Sequence, residues 1–80
     1  MKTLKELSHD TFYKMGNYSQ IVIDLVSDAE DLYTYEENAD GFGALAYKVD
    51  ILLEVIDKNR EYDVEALKVL NKILMDEIEL

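Results

Sequence analysis

The chain has 80 residues, no cysteine and no proline, and its eighteen acidic against eight basic residues give a net charge of −10. The absence of cysteine excludes disulfides, thiolate zinc sites and cysteine catalysis. The negative charge disfavours direct binding to nucleic acid or to anionic membranes, and it favours a protein partner with a basic surface. The apolar fraction of 49% indicates a folded chain, and we expect one domain over residues 1–80.

The sequence contains no apolar run near the length of about 18 residues that a transmembrane helix needs. The first ten residues, MKTLKELSHD, contain acidic residues where a signal peptide would have its apolar segment. We therefore expect no membrane association and a cytoplasmic location.

The first predicted helix covers residues 4–15. Thr3 and Glu6 form the T-x-x-E pattern of a capping box at its start. Gly16 suits a helix stop or a kink, so the pattern leaves open whether this helix continues into the next. The apolar stripe of the helix consists of Leu4, Leu7, Phe12 and Met15.

The second predicted helix covers residues 17–36, with Asn17 and Gln20 as its capping pair. The run QIVIDLV has the composition of a strand, but acids spaced i, i+4, i+7 share one side only on a helix. These acids are Asp24, Asp28 and Asp31, which we call the α2 ladder. The predicted apolar side consists of Tyr18, Val22, Leu25, Val26, Ala29, Leu32 and Tyr33.

The stretch EENADGFG, residues 36–43, is predicted to be a loop because Gly, Asn and Asp suit positions of positive φ. Helices are predicted to follow at residues 44–58 and 63–79. The predicted buried face of the fourth helix consists of Ala66, Leu67, Leu70, Ile73, Leu74 and Ile78. The third helix has a wide apolar face, with Leu45, Val49, Leu52, Leu53, Val55 and Ile56, and a second acidic ladder at Asp50, Glu54 and Asp57. The predicted fold class is all-α, a small bundle of three to four antiparallel helices. The width of that face makes a homodimer possible.

No catalytic or metal-binding pattern is present. Aligning Gly41 with the glycine of a calcium loop places Tyr47 where a bidentate Glu is required. His9 is the single histidine, and its neighbour Ser8 cannot face it on a helix. We therefore expect no enzymatic activity, no metal and no cofactor.

The sequence contains no Lys or Arg from residue 15 to residue 47, although this window is rich in acids. Interspersed lysines are expected if acids serve solubility alone. We therefore expect a partner-binding surface with two tyrosine anchors, consisting of Asp24, Asp28, Asp31, Tyr33, Tyr35, Glu36, Glu37 and Asp40.

Carboxylates in rows along a helix can stand in for phosphates. The hypothesis is an acidic inhibitor that mimics nucleic acid and occupies the basic surface of a nucleic-acid-handling protein. Small phage and mobile-element inhibitors have this charge and size. The alternative is a self-associating helical regulatory or scaffold protein that binds its partner through an apolar helix face.

Overall fold

The protein consists of four α-helices in the part of the chain that the computed structural model describes, residues 2–35 and 40–78, without the side chains of residues 35, 40 and 78. These helices are α1 (Leu4–Tyr13), α2 (Gln20–Tyr35), α3 (Asp40–Val55) and α4 (Glu61–Ile78). Each helix packs against the next in the chain, and α4 also contacts α1 and α2. The all-α prediction is confirmed.

The start of α1 agrees with the predicted capping box, whereas part of its predicted apolar stripe is exposed. The Thr3 hydroxyl accepts a hydrogen bond from the Glu6 N–H at 3.2 Å. Leu7 and Thr11 are buried, whereas Phe12 is 62% exposed and Met15 is 58% exposed. Two members of the predicted apolar stripe, Phe12 and Met15, therefore lie outside the core. Because α1 ends at Tyr13, Met15 has no place on the helical face, and Phe12 lies beyond the arc that contains Leu7 and Thr11.

The segment between α1 and α2 separates the two helices, so they are not continuous across Gly16. The Lys14 N–H donates to the Asp10 carbonyl at 2.9 Å and caps α1. Gly16 does not adopt positive φ and is not a left-handed stop. The Gln20 side chain donates to the Asp24 carboxylate at 2.9 Å, so the predicted capping pair with Asn17 is wrong. Since Ser19 immediately precedes α2, Asn17 lies too far upstream to cap it.

The first turn of α3 corrects the predicted loop. The helix begins at Asp40, so residues 40–43 are helical, while residues 36–39 lie outside the described residues. No described glycine has positive φ. Glycine permits such a conformation without requiring it, and its cost in a helix, about 1 kcal/mol relative to alanine, is small enough for tertiary contacts to offset. The ring of Phe42 packs edge-on against Tyr33, with centroids 5.0 Å apart, and holds this turn against α2.

The α3 helix ends at Val55, three residues before the predicted boundary. The Asp57 carboxylate accepts a hydrogen bond from the Asn59 N–H at 2.9 Å, and the Lys58 ammonium donates to the Leu53 carbonyl. Asp side chains that bond to the backbone two residues on favour a turn over a further helical turn. The fourth helix begins at Glu61, two residues before the predicted start.

The core lies between the four helices and follows the predicted apolar faces of α2 and α4. On α3, Leu45 and Val49 of the predicted apolar face are buried, whereas Val55 of the same face is 73% exposed. At 100° per residue Val55 lies far around the helix from Val49. Ile23 flanks the core and is partly buried. The buried apolar residues are Leu7, Tyr18, Val22, Leu25, Val26, Ala29, Leu45, Ala46, Val49, Ala66, Leu67, Leu70 and Leu74.

Candidate functional site: the acidic face of α2

The α2 ladder lies on the solvent side of α2. Asp24, Asp28 and Asp31 are all exposed, while Val22 and Ala29 on the opposite side are fully buried. With a rise of about 1.5 Å per residue, the three carboxylates follow the helix at intervals of about 6 Å and 4.5 Å. The helical period that buries the apolar side therefore also aligns the acids.

Asp28 and Asp31 line a shallow recess between α2 and α3. Leu32 of α2 and Gly41, Ala44, Leu45 and Lys48 of α3 complete its lining. Lys48 is the first base after the acidic window, and the fold brings it beside the α2 ladder. Among the described residues, however, no ion pair within 4.0 Å joins Lys48 to either carboxylate. As far as the described residues show, the recess therefore presents to solvent two carboxylates without an ion-pair partner and one cation.

Tyr33 lies on the opposite side of α2 from the ladder. It is 39% exposed, and its ring packs against Phe42. Burial, the charge of Glu77 and a hydrogen bond to Glu77 together raise the pKa of Tyr33 to about 12. The structure thus uses Tyr33 to join α2 to the end of α4, and it does not bring Tyr33 together with Asp28 and Asp31.

The remaining predicted site residues are those at positions 35, 36, 37 and 40, around the α2–α3 connection in sequence. Tyr35 is the last residue of α2 and Asp40 is the first residue of α3. The side chains of both lie outside the part of the chain that the structure describes. Glu36 and Glu37 lie outside the described residues altogether. Of the predicted site residues with described side chains, the structure therefore aligns only the three of the α2 ladder, with Tyr33 on the other side of the helix.

The second acidic ladder differs from the first, because two of its three members have structural roles. Asp50 accepts a hydrogen bond from the Asn71 side chain of α4 at 2.9 Å. Asp57 stabilises the turn after α3. Glu54 is exposed. Spacing alone did not distinguish the two ladders, because a neighbouring helix decides which carboxylates are used for packing.

Sequence reasoning missed a buried acid, Asp63. It is fully buried, its Oδ1 accepts the Ser19 N–H at 2.8 Å, and its Oδ2 accepts the Arg60 Nε–H at 2.5 Å. Asp63 thus joins the start of α4 to the segment before α2. The i, i+3 spacing of Arg60 and Asp63 was the available signal in the sequence, while the link to Ser19 depends on tertiary structure.

The wide apolar face predicted for α3 is only partly covered by the other described helices, and an exposed apolar row lies on this helix. Tyr47, Ile51 and Val55 are 68%, 44% and 73% exposed. Their i, i+4, i+8 spacing places them along one side of α3, opposite the buried Val49. We call these three residues the α3 outer row.

The described residues contain no group of three or more His, Cys, Asp or Glu side chains that could hold a metal ion. His9 is exposed, and its ring stacks at a tilt on Tyr13 with centroids 4.4 Å apart. Gly41, which a calcium loop would place in a sharp turn, is helical. None of the described helices is long and apolar enough to cross a bilayer.

Comparisons with protein-family models, with curated proteins and with solved structures found no match to this chain.

Proposed function

We propose that the protein is a non-enzymatic binding module whose α2 ladder occupies the basic surface of a nucleic-acid-handling protein. The observation that carries the proposal is the exposure of Asp24, Asp28 and Asp31 in one row on a rigid helix. In the described structure none of the three is paired with a base. Fixed carboxylates that keep their negative field are what a surface of Lys and Arg side chains recognises.

The spacing of the row suits this role. Intervals of about 4.5–6 Å along a helix are of the same order as the 3.4 Å axial interval of phosphates in one DNA strand. Charges at the edge of an interface act mainly on the association rate and its salt dependence. We therefore expect an association that weakens steeply as the salt concentration rises.

The first experiment is an affinity pull-down from host lysate at low and high salt, with bound proteins identified by mass spectrometry. We expect a nucleic-acid-handling protein that elutes with salt and that excess duplex DNA displaces. The double variant D28K/D31K should lose this partner. The matched control E65K/D76K makes the same change in net charge at two exposed residues of α4 and should keep it.

Equal capture by the wild type and by a correctly folded D28K/D31K variant would contradict the proposal. Equal loss in D28K/D31K and E65K/D76K would also contradict it, since binding would then depend on net charge and not on the α2 ladder.

The alternative, a self-associating regulatory or scaffold protein, is favoured by the α3 outer row, because exposed apolar side chains at helical spacing often form a helix–helix contact. Sedimentation velocity over a range of concentrations tests it. A dimer that persists in high salt and dissociates when Ile51 and Val55 are replaced by Ser would support the alternative over the acidic inhibitor.

A further inference from the structure

The α3 outer row is an apolar helix face with no partner among the described helices. Tyr47, Ile51 and Val55 are large side chains, and two of them are more than two-thirds exposed. From residue 47 to residue 55 the row is about 12 Å long, slightly more than two helical turns. This length matches the face of another helix that contributes apolar residues at i, i+4 and i+8.

The α3 outer row adjoins the α2 ladder. Ala44 and Lys48 line the recess that contains Asp28 and Asp31. Tyr47 lies one turn from Ala44, and Ile51 lies one turn from Lys48, so the recess and the row share an edge along α3. The surface therefore consists of an apolar row with two carboxylates along one side.

The other side of the α3 outer row is acidic as well. Glu54 is exposed beside Ile51 and Val55, and Asp50 lies one turn before it. Two bases lie near the row within the described residues: Lys48 on the recess side, and Lys58, three residues after Val55, whose ammonium donates to the Leu53 carbonyl. An occupant of the row therefore meets an apolar centre between two acidic margins.

We propose that the α3 outer row and the α2 ladder together bind a basic amphipathic helix of a partner protein. The apolar side of that helix would cover Tyr47, Ile51 and Val55, and its Lys or Arg side chains would pair with Asp28, Asp31 and Glu54. This inference rests on the proposed function, because it gives the chemistry of the basic partner surface.

Electrostatics favour a basic helix on the α3 outer row over a second copy of this chain, an anionic lipid surface or a nucleic acid. In a two-fold symmetric dimer, the acidic margins of one copy would face the same margins of the other, and each copy has a net charge of −10. An anionic lipid surface or a nucleic acid would meet the same repulsion. A basic helix is attracted by the margins and covers the apolar centre.

The test uses three labelled 14-residue peptides and fluorescence anisotropy with the full chain. The first contains Leu and Lys in an amphipathic helical pattern, the second replaces Lys by Glu, and the third replaces Leu by Gln. We expect the Leu/Lys peptide to bind at least about tenfold more tightly than either other peptide, since both the apolar centre and the charged margins contribute. NMR shift changes should centre on α3 and on the ladder side of α2.

Two double variants locate the contact. I51S/V55S should weaken binding of the Leu/Lys peptide about tenfold or more. F12S/M15S is the matched control, because it removes two exposed apolar side chains from the α1 end, and it should change binding less than twofold. Circular dichroism checks that both variants remain helical.

Equal effects of the two double variants, or equally tight binding of the Leu/Glu peptide, would overturn the inference. A wild-type dimer that I51S/V55S dissociates would also overturn it, since a second copy would then cover the row. If the lysate partner is lost in D28K/D31K but kept in I51S/V55S, the proposed function stands and this inference fails. If D28K/D31K keeps the lysate partner, the proposed function fails independently of the peptide result.

Discussion

At the scale of single residues, a buried carboxylate connects two parts of the chain that lie far apart in sequence. Asp63 has both oxygens in hydrogen bonds, one from the Ser19 backbone and one from Arg60, whose side chain is half-exposed. A fully buried carboxylate is tolerated only when its acceptor sites are filled in this way. The Ser19 carbonyl in turn accepts the Ile23 N–H of the first turn of α2 at 3.2 Å.

We expect Asp63→Ala to lower the free energy of unfolding by about 2–4 kcal/mol, because it removes two hydrogen bonds of a buried charge and leaves the Ser19 N–H without an acceptor. Asp63→Asn should cost less, since its amide oxygen still accepts from Ser19. Urea denaturation measures both. Asp24→Ala is the exposed control, with an expected effect of about 0.5 kcal/mol or less. Equal denaturation midpoints for Asp63→Ala and Asp24→Ala would contradict the role of Asp63.

Tyr33 makes stability depend on pH in the alkaline range. Burial and Glu77 raise its pKa from 10.0 to about 12 in the folded protein, so the folded state holds the proton more tightly than the unfolded state. The resulting stability is complete below about pH 10 and is lost as pH rises through 10 to 12. Between pH 9 and 11, Tyr33→Phe should therefore lose less stability than the wild type. Because burial also raises the pKa of Tyr18, absorbance at 295 nm should show two tyrosines ionising late in the wild type and one in Tyr33→Phe. An unchanged number of late-ionising tyrosines in the variant would contradict the assignment.

At the scale of helices, the capping residues and the helical period of the sequence locate the four helices, but they do not give the first and last residues of most of them. The Thr3 cap fixes the start of α1, and the helical period of α2 separates Asp28 from Val22. The starts of α3 and α4 lie earlier than the predicted boundaries. The glycine-rich turn is the clearest case, because Phe42 packs on Tyr33 and favours a helix where composition favours a loop.

Gly43→Ala distinguishes a helix from a loop at this position. A Cβ at Gly43 would meet no atom within 4 Å, and its φ is not positive. We expect the substitution to raise the free energy of unfolding by about 0.4–1 kcal/mol, because alanine favours helix and restricts the unfolded chain. A destabilised variant in thermal or urea denaturation would indicate that Gly43 has the left-handed conformation of a loop.

At the scale of the whole molecule, the acids outnumber the bases by ten, and the described residues contain three ion pairs. The molecule measures 34 × 25 × 21 Å. The screening length is about 30 Å at 0.01 M salt and about 10 Å at 0.1 M. At low salt each acid therefore interacts with acids across the whole protein, and at 0.1 M mainly with its neighbours.

We expect the melting temperature to rise by several degrees between 0.01 M and 0.3 M NaCl, because screening relieves repulsion among the acids. The increase should be smaller in D28N/D31N, which removes two negative charges from the α2 ladder. Differential scanning calorimetry in both salts measures it. A melting temperature that falls with salt would mean that attractive ion pairs outweigh the repulsion.

The site was predictable from the sequence to the extent that it depends on one helix. The period of α2 aligns Asp24, Asp28 and Asp31 regardless of what packs behind them, and the structure places all three in solvent. Tyr33 was predicted as an anchor from its neighbours in the chain, but those neighbours do not reveal that Phe42 and Glu77 surround it. A side chain's partners on other helices are set by packing between elements.

The sequence by itself determined the all-α class, the acidity and the apolar faces of α2 and α4, because each follows from composition or from a helical period within one segment. Only the tertiary structure decided that Asp63 is buried and that Asp50 bonds to α4. It also decided that Lys48 and the α3 outer row lie beside the α2 ladder. These features need contacts between residues distant in sequence, and such contacts exist only once four helices share one core.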